Sequence, residues 1–152
     1  MAKENLEEMH EVAQLSTLLA VAIDSGLSLV GALDATFSRA QGPVARKFQR
    51  LLAALALGGN LFDELAKIRN NGVGRGLSEL VVKLQVALQF GSPLAQQLSE
   101  LSRSLRQQVA QQQLTQATKK ETLMLLPLVF LILPVTVLFA VFPALQYLNI
   151  KY

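Results

Sequence analysis

Few residues in this chain could carry chemistry. His10 is the sole histidine among 152 residues, and cysteine is absent. The lack of cysteine removes a thiolate metal site, a cysteine nucleophile and a disulfide scaffold. His10 has no second imidazole at helical spacing, so it reads as a solvated residue on a charged first helix. Gly72-Val73-Gly74-Arg75-Gly76 has the composition of a phosphate cradle. It follows no strand pattern and lacks a Lys-Ser/Thr pair, which makes it an inter-helix loop. Asp63 and Glu64 are neighbours in sequence and point to different faces of a helix, and Asp63 suits a capping-box partner of Asn60 better than half of an acid pair. With one histidine no nucleophile–base set can be built. The chain is expected to be no enzyme, with no metal and no cofactor.

Two features suit binding instead. Arg46 and Arg50 stand one helical turn apart, Lys47 lies beside them, and Arg39 lies one break earlier. These four are the candidate dock for an acidic partner surface or lipid headgroups, set against an ordinary solvated face. The second is a polar run with Arg103, Arg106, Gln111, Gln112, Gln113, Lys119 and Lys120. It reads as a spacer, or as a surface that pairs with a second copy along Val109, Ala110, Leu114 and Ala117. Nucleic acid is not an expected partner: the net charge is only +3, both tyrosines are C-terminal, and no recognition motif occurs.

The elements that position these groups are helical. Leu6, Met9, Ala13, Leu18 and Ala22 recur mostly at three- and four-residue spacing, with Leu15, Leu19 and Ile23 widening the stripe, which predicts a helix over 5–24. Further helices are expected over 29–40, 43–57, 61–69 and 77–90, and a long sixth over 92–120. Breaks at Ser25-Gly26, Gln41-Gly42-Pro43, Gly58-Gly59, Asn70 to Gly76 and Gly91-Ser92-Pro93 separate them. No segment alternates with a period of two, so no sheet is expected. The sixth helix would run about 43 Å at 1.5 Å per residue, longer than its neighbours can cover.

A repeat organises the helices. Gly26-Leu27-Ser28-Leu29 leads to Leu33, Gly59-Asn60-Leu61 to Leu65, and Gly91-Ser92-Pro93-Leu94 to Leu98. In each unit a glycine (Gly26, Gly59, Gly91) closes one helix in a left-handed conformation, a Ser or Asn caps the next, and an i,i+4 leucine pair turns that helix into a core. The predicted fold is all-α: a six-helix bundle of three helical hairpins over residues 1–120, followed by a C-terminal transmembrane helix.

That membrane helix is expected over 121–147, with a short tail at 148–152. Residues 122–150 carry no charge, and 15 of the 21 residues in Thr122–Phe142 are Leu, Ile, Val or Phe. A single span needs about 20 apolar residues, and proline is tolerated inside one. The acidic start, with Lys3, Glu4, Glu7, Glu8 and Glu11, has no early apolar region, and no signal peptide is expected. Charge sets the expected orientation: Arg103, Arg106, Lys119 and Lys120 precede the span and only Lys151 follows it. The positive-inside rule then places 1–120 in the cytoplasm and the C-terminus outside, with Lys119 and Lys120 flanking the membrane. Pro127 and Pro134 lie two turns apart on nearly one face, and the carbonyls they free favour protein partners, so an oligomer is expected.

Three stretches resemble the type II secretion system F domain family. They are Val12 to Leu33 through Gly26-Leu27-Ser28-Leu29, Gly42-Pro43-Val44-Ala45 to Leu65 through Gly58-Gly59, and Phe90-Gly91-Ser92-Pro93-Leu94-Ala95 to Leu98. Leu125 to Pro134 is similar to the membrane segment that follows this domain in the Tad (tight adherence) branch, the TadC-like proteins. The resemblance spans residues 12–143. It implies an inner-membrane platform component of a type II secretion or type IV (Tad/Flp) pilus machine. Its implied partners are a hexameric secretion ATPase on the cytoplasmic side, another platform membrane protein, and pilins extracted from the bilayer. Relatives usually carry more spans and often two such domains, so a completing partner or further sequence is expected. Many also carry an acid just before the third glycine, where this chain has Leu88 and Gln89. The alternative, from layout alone, is a tail-anchored helical adaptor without a secretion role.

Overall fold

The computed structural model describes residues 2–91 and 93–149. Among the described residues there are six helices: α1 (Ala2–Asp24), α2 (Leu29–Phe37), α3 (Pro43–Ala56), α4 (Leu61–Asn70), α5 (Arg75–Phe90) and α6 (Leu94–Asn149). Among the described residues there is no strand, and the fold is all-α. The chain divides into two units, Met1–Ala110 and Gln111–Tyr152. The compact unit closes at Ala110 because Val109 is its last buried side chain, and residues 110–119 are exposed.

Local chemistry sets the starts and stops. Ser28 accepts a hydrogen bond from the Gly31 amide and Asn60 one from the Phe62 amide, so each satisfies an orphan donor of the helix it opens. Pro43 stands in the first turn of α3, where its missing N–H costs nothing. The third expected cap, Ser92, lies outside the described residues. Asp63 makes no hydrogen bond back to Asn60; its neighbour Glu64 pairs with Lys67 one turn on. The capping box is therefore half built: Asn60 caps the Phe62 amide, and Asp63 returns no bond to the Asn60 amide.

Three boundaries differ from expectation. The second helix stops at Phe37, where the Gln49 side chain donates to the Phe37 and Ala40 carbonyls and ties off the end. The glycine turn after α3 closes on Gly58, not Gly59: Gly58 has φ +92°, and Gly26 and Gly91 have +94° and +61°. Gly59 serves the same turn differently, since its amide donates to the Ala54 carbonyl at 2.9 Å and a Cβ there would stand 2.8 Å from that oxygen. Finally, α6 does not end near residue 120. It is one 56-residue helix with Pro127, Pro134 and Pro143 inside it, because the run between the polar and apolar stretches offers no glycine to stop it.

In the compact unit consecutive helices from α1 to α5 pack on one another, and α1 also meets α3 and α5. α1 runs parallel to α5, with Glu8 and Met9 beside Gly74 and Gly76 at the start of α5. It runs antiparallel to α6, with Ala13 beside Ser102 and Met9 and Leu105 both against Gly76. Leu33, Leu65, Leu80, Leu84 and Leu98, all fully buried, fill the centre. Phe37 and Phe48 stack there with ring centroids 4.0 Å apart. Leu18, expected on the core stripe of α1, is exposed instead, since Leu15, Ser16 and Leu19 take that face.

Ser16 is fully buried and its hydroxyl has no hydrogen-bond partner. An unsatisfied buried hydroxyl costs about 1–3 kcal/mol. Ser16→Ala is therefore expected to stabilise the protein by about 1 kcal/mol, and thermal unfolding of the full chain in mild detergent measures it. A lowered melting temperature would show that the hydroxyl is satisfied.

Candidate functional site

Two glutamates on α1 hold the bundle together in a way the sequence did not advertise. α3 and α5 begin at Gly42 and Gly74, which have no side chain to cap the amides behind them. Glu11 supplies the cap from α1: the Val44 amide donates to its Oε2 at 3.2 Å and the Ala45 amide to its Oε1 at 2.9 Å. Glu8, one turn earlier, accepts from the Gly74 amide at 3.1 Å. Each carboxylate thus sits at the positive end of a helix dipole, where an anion is stabilised. Gly42 needs glycine, since its φ is +141° and a Cβ there would lie 2.3 Å from Glu11 Oε1, whereas Gly74 has an ordinary φ of −60° and its Cβ would meet only the mobile end of Glu8, 2.8 Å from Oε1. The available signal was two helix starts with glycine caps, facing a helix with acids three residues apart.

This arrangement also explains the Gly72–Gly76 loop. Its Gly74 amide is taken by Glu8, a carboxylate of the same chain. His10 is exposed and its Nε2 lies 3.0 Å from the Gln14 amide nitrogen. Among the described residues no group of three or more His, Asp or Glu could hold a metal ion.

A polar contact joins α1 to α6. Ser102 Oγ lies 2.6 Å from Thr17 Oγ1 and 2.9 Å from the Ala13 carbonyl, and Arg106 donates to Thr17 Oγ1 at 3.2 Å. Thr17 itself donates to the Ala13 carbonyl at 3.0 Å. The hydroxyls and the guanidinium form one connected network along the contact between α1 and α6. Arg103 and Arg106 line a shallow groove there with Thr17 and Ser102.

The four basic residues singled out by sequence are not all alike. Arg46 and Arg50 are exposed on one side of α3, Lys47 is half-buried, and Arg39 is exposed in the loop before α3. The opposite side of α3 is buried through Val44, Phe48 and Leu51, which fixes the arginines outward. Of the seam expected along α6, Val109 is buried in the core cluster, so only Ala110, Leu114 and Ala117 are exposed. Lys119 is exposed, and the Lys120 side chain lies outside the described residues, as does Lys151.

The second unit is the remainder of α6. It contains the one helix, among the described residues, that is long and apolar enough to cross a membrane. Residues 124–149 are exposed throughout. Val129, Phe130, Leu133, Pro134, Val137 and Leu138 line one apolar side of it, and Thr136 donates its hydroxyl to the Ile132 carbonyl at 2.8 Å. That internal bond keeps the threonine satisfied in an apolar surrounding.

The family model described as type II secretion system (T2SS), protein F, matches residues 15–142, covering most of the compact unit and the apolar stretch of α6. No curated protein and no solved structure matches the chain.

Proposed function

The chain belongs to the type II secretion system protein F family, and from that premise we propose that it is the inner-membrane platform component of a Tad/Flp-type pilus or type II secretion machine. Proteins of this family are membrane platform proteins of type II secretion and type IV pilus systems. The observation that carries the reading is that one family match runs through both the helical bundle and the apolar stretch. A tail-anchored adaptor would need only the second.

In this reading residues 1–120 are cytoplasmic, α6 crosses the bilayer once, and the C-terminus is outside. Four basic groups within 20 residues before the span and one after it support that direction. The bundle couples a hexameric secretion ATPase to extraction of pilins from the bilayer, together with a second platform membrane protein. The chain performs no catalysis itself; the machine's ATPase supplies the energy.

Deleting the gene is expected to abolish surface pili or export, and the chain should co-purify in mild detergent with the secretion ATPase and the second platform protein. In inside-out vesicles protease should digest the bundle and spare the span. Intact piliation and secretion in the deletion strain would overturn the function, and protection of the bundle in those vesicles would reverse the orientation.

A further inference from the structure

We propose that the turns after α1, α3 and α5 form one docking face for a protein surface with an apolar centre and a lysine- or arginine-rich rim. The three turns share an end of the compact unit. Because α1 and α5 are parallel, their last turns lie together. Because α6 is antiparallel to α1, Leu94 starts beside that same end. Asn60 and Phe62, at the start of α4, line one cavity with Leu88 and Gln89 at the end of α5. The opposite end holds the capped starts of α3 and α5 and the exit of α6.

Each of the three turns presents one large apolar side chain to solvent. Leu27 is 45%, Leu57 90% and Phe90 76% exposed, and none belongs to the core cluster. The fold does not require them: each stands next to the glycine that makes the turn, and a polar residue would serve the turn equally. An apolar residue repeated at three turns of one end marks an interaction surface more than a scattered exposed leucine does.

Charge selects the occupant. No Lys or Arg occurs in residues 12–38, 51–66 or 84–102, the three segments that build this end. Exposed Asp24 and Asp63 flank the turns and have no ion-pair partner among the described residues. The basic groups Arg39, Arg69 and Arg75 lie in or beside the loops at the other end. A face-to-face second copy would set Asp24 and Asp63 against their own counterparts, and like charges oppose that contact. A basic rim would instead be steered on and held around apolar anchors.

The inference rests on the platform reading only for the expected identity of the partner. The test places a photoreactive phenylalanine analogue at Leu57 or Phe90 of the full chain in its own membrane, with Ala53 on the outer side of α3 as the control position. The expected result is an adduct with one protein other than this chain, through a peptide bearing several Lys or Arg. The adduct should be lost in Asp24→Lys/Asp63→Lys and kept in Glu79→Lys, and Leu57→Ser and Phe90→Ser should leave the melting temperature unchanged. Adducts with lipid or with this chain, equal adducts from Ala53, indifference to the charge reversals, or no adduct would each overturn the docking face. If the captured protein belongs to no secretion or pilus machine, the platform reading falls and the face stands. If piliation requires the chain but Leu57 and Phe90 give no adduct, the face falls and the platform reading stands.

Discussion

Phe48→Ala is expected to destabilise the compact unit by about 3–5 kcal/mol, the usual cost of emptying a buried aromatic site. Phe48 is fully buried on α3 and stacks on Phe37 at the end of α2, with their planes 13° apart. The pair joins α2 to α3, beside the Gln49 bonds to the Phe37 and Ala40 carbonyls. Domains are stable by about 5–15 kcal/mol, and the loss takes a large share of that. The melting temperature of the full chain in mild detergent should fall by more than about 10 °C, given about 4–8 °C per kcal/mol for a small domain. Phe48→Leu should cost under about 1.5 kcal/mol, since volume is largely kept. A fall below about 3 °C for Phe48→Ala would mean that Phe37 collapses into the space, and that the stack is not what fastens α2 to α3.

Gly42→Ala is expected to cost about 2–5 kcal/mol, from two separate causes. Gly42 has φ +141° and ψ 171°, a region that is essentially glycine-only and strains other residues by about 1–3 kcal/mol. The added Cβ would also meet the Glu11 carboxylate, at 2.3 Å from Oε1 and 2.5 Å from Cδ. Glu11 could swing away, but only by releasing the Val44 and Ala45 amides it caps, and losing a helix cap costs about 1–2 kcal/mol. The coupling is testable by a double-mutant cycle. Glu11→Ala alone gives up the cap, so Gly42→Ala added to it should cost only the backbone strain, and the double variant should be less destabilised than the sum. Strict additivity would show that the carboxylate and Gly42 do not share one space.

Much of the helical order was legible in the residues. Glycine turns, Ser28 and Asn60 as caps, Pro43 at a helix start and the leucine pairs are local signals, and each acts within about one turn of the chain. Hence five helices start or stop within a few residues of where the sequence puts them. The uncharged run was legible for the same reason: crossing a bilayer depends on length and apolarity alone. The repeat failed at one position. Gly58 and Gly59 are adjacent, composition cannot say which takes the positive φ, and the hydrogen bonds to Ala54 and Leu55 decided for Gly58.

By itself, then, the sequence determined an all-α chain, its turns and its apolar stretch, because these follow from residue type and short-range spacing. Only the tertiary structure decided what α1's acids do. Glu8 and Glu11 look like part of a solvated acidic face, yet they cap helices 66 and 33 residues away, a separation that no local pattern encodes. It also decided that Val109 belongs to the core rather than to a second-copy seam, and that Leu18 faces out. The gathering of Leu27, Leu57 and Phe90 at one end has the same origin. Periodicity gives the face of a helix, but the direction in which each helix runs beside the others is fixed only when the bundle packs.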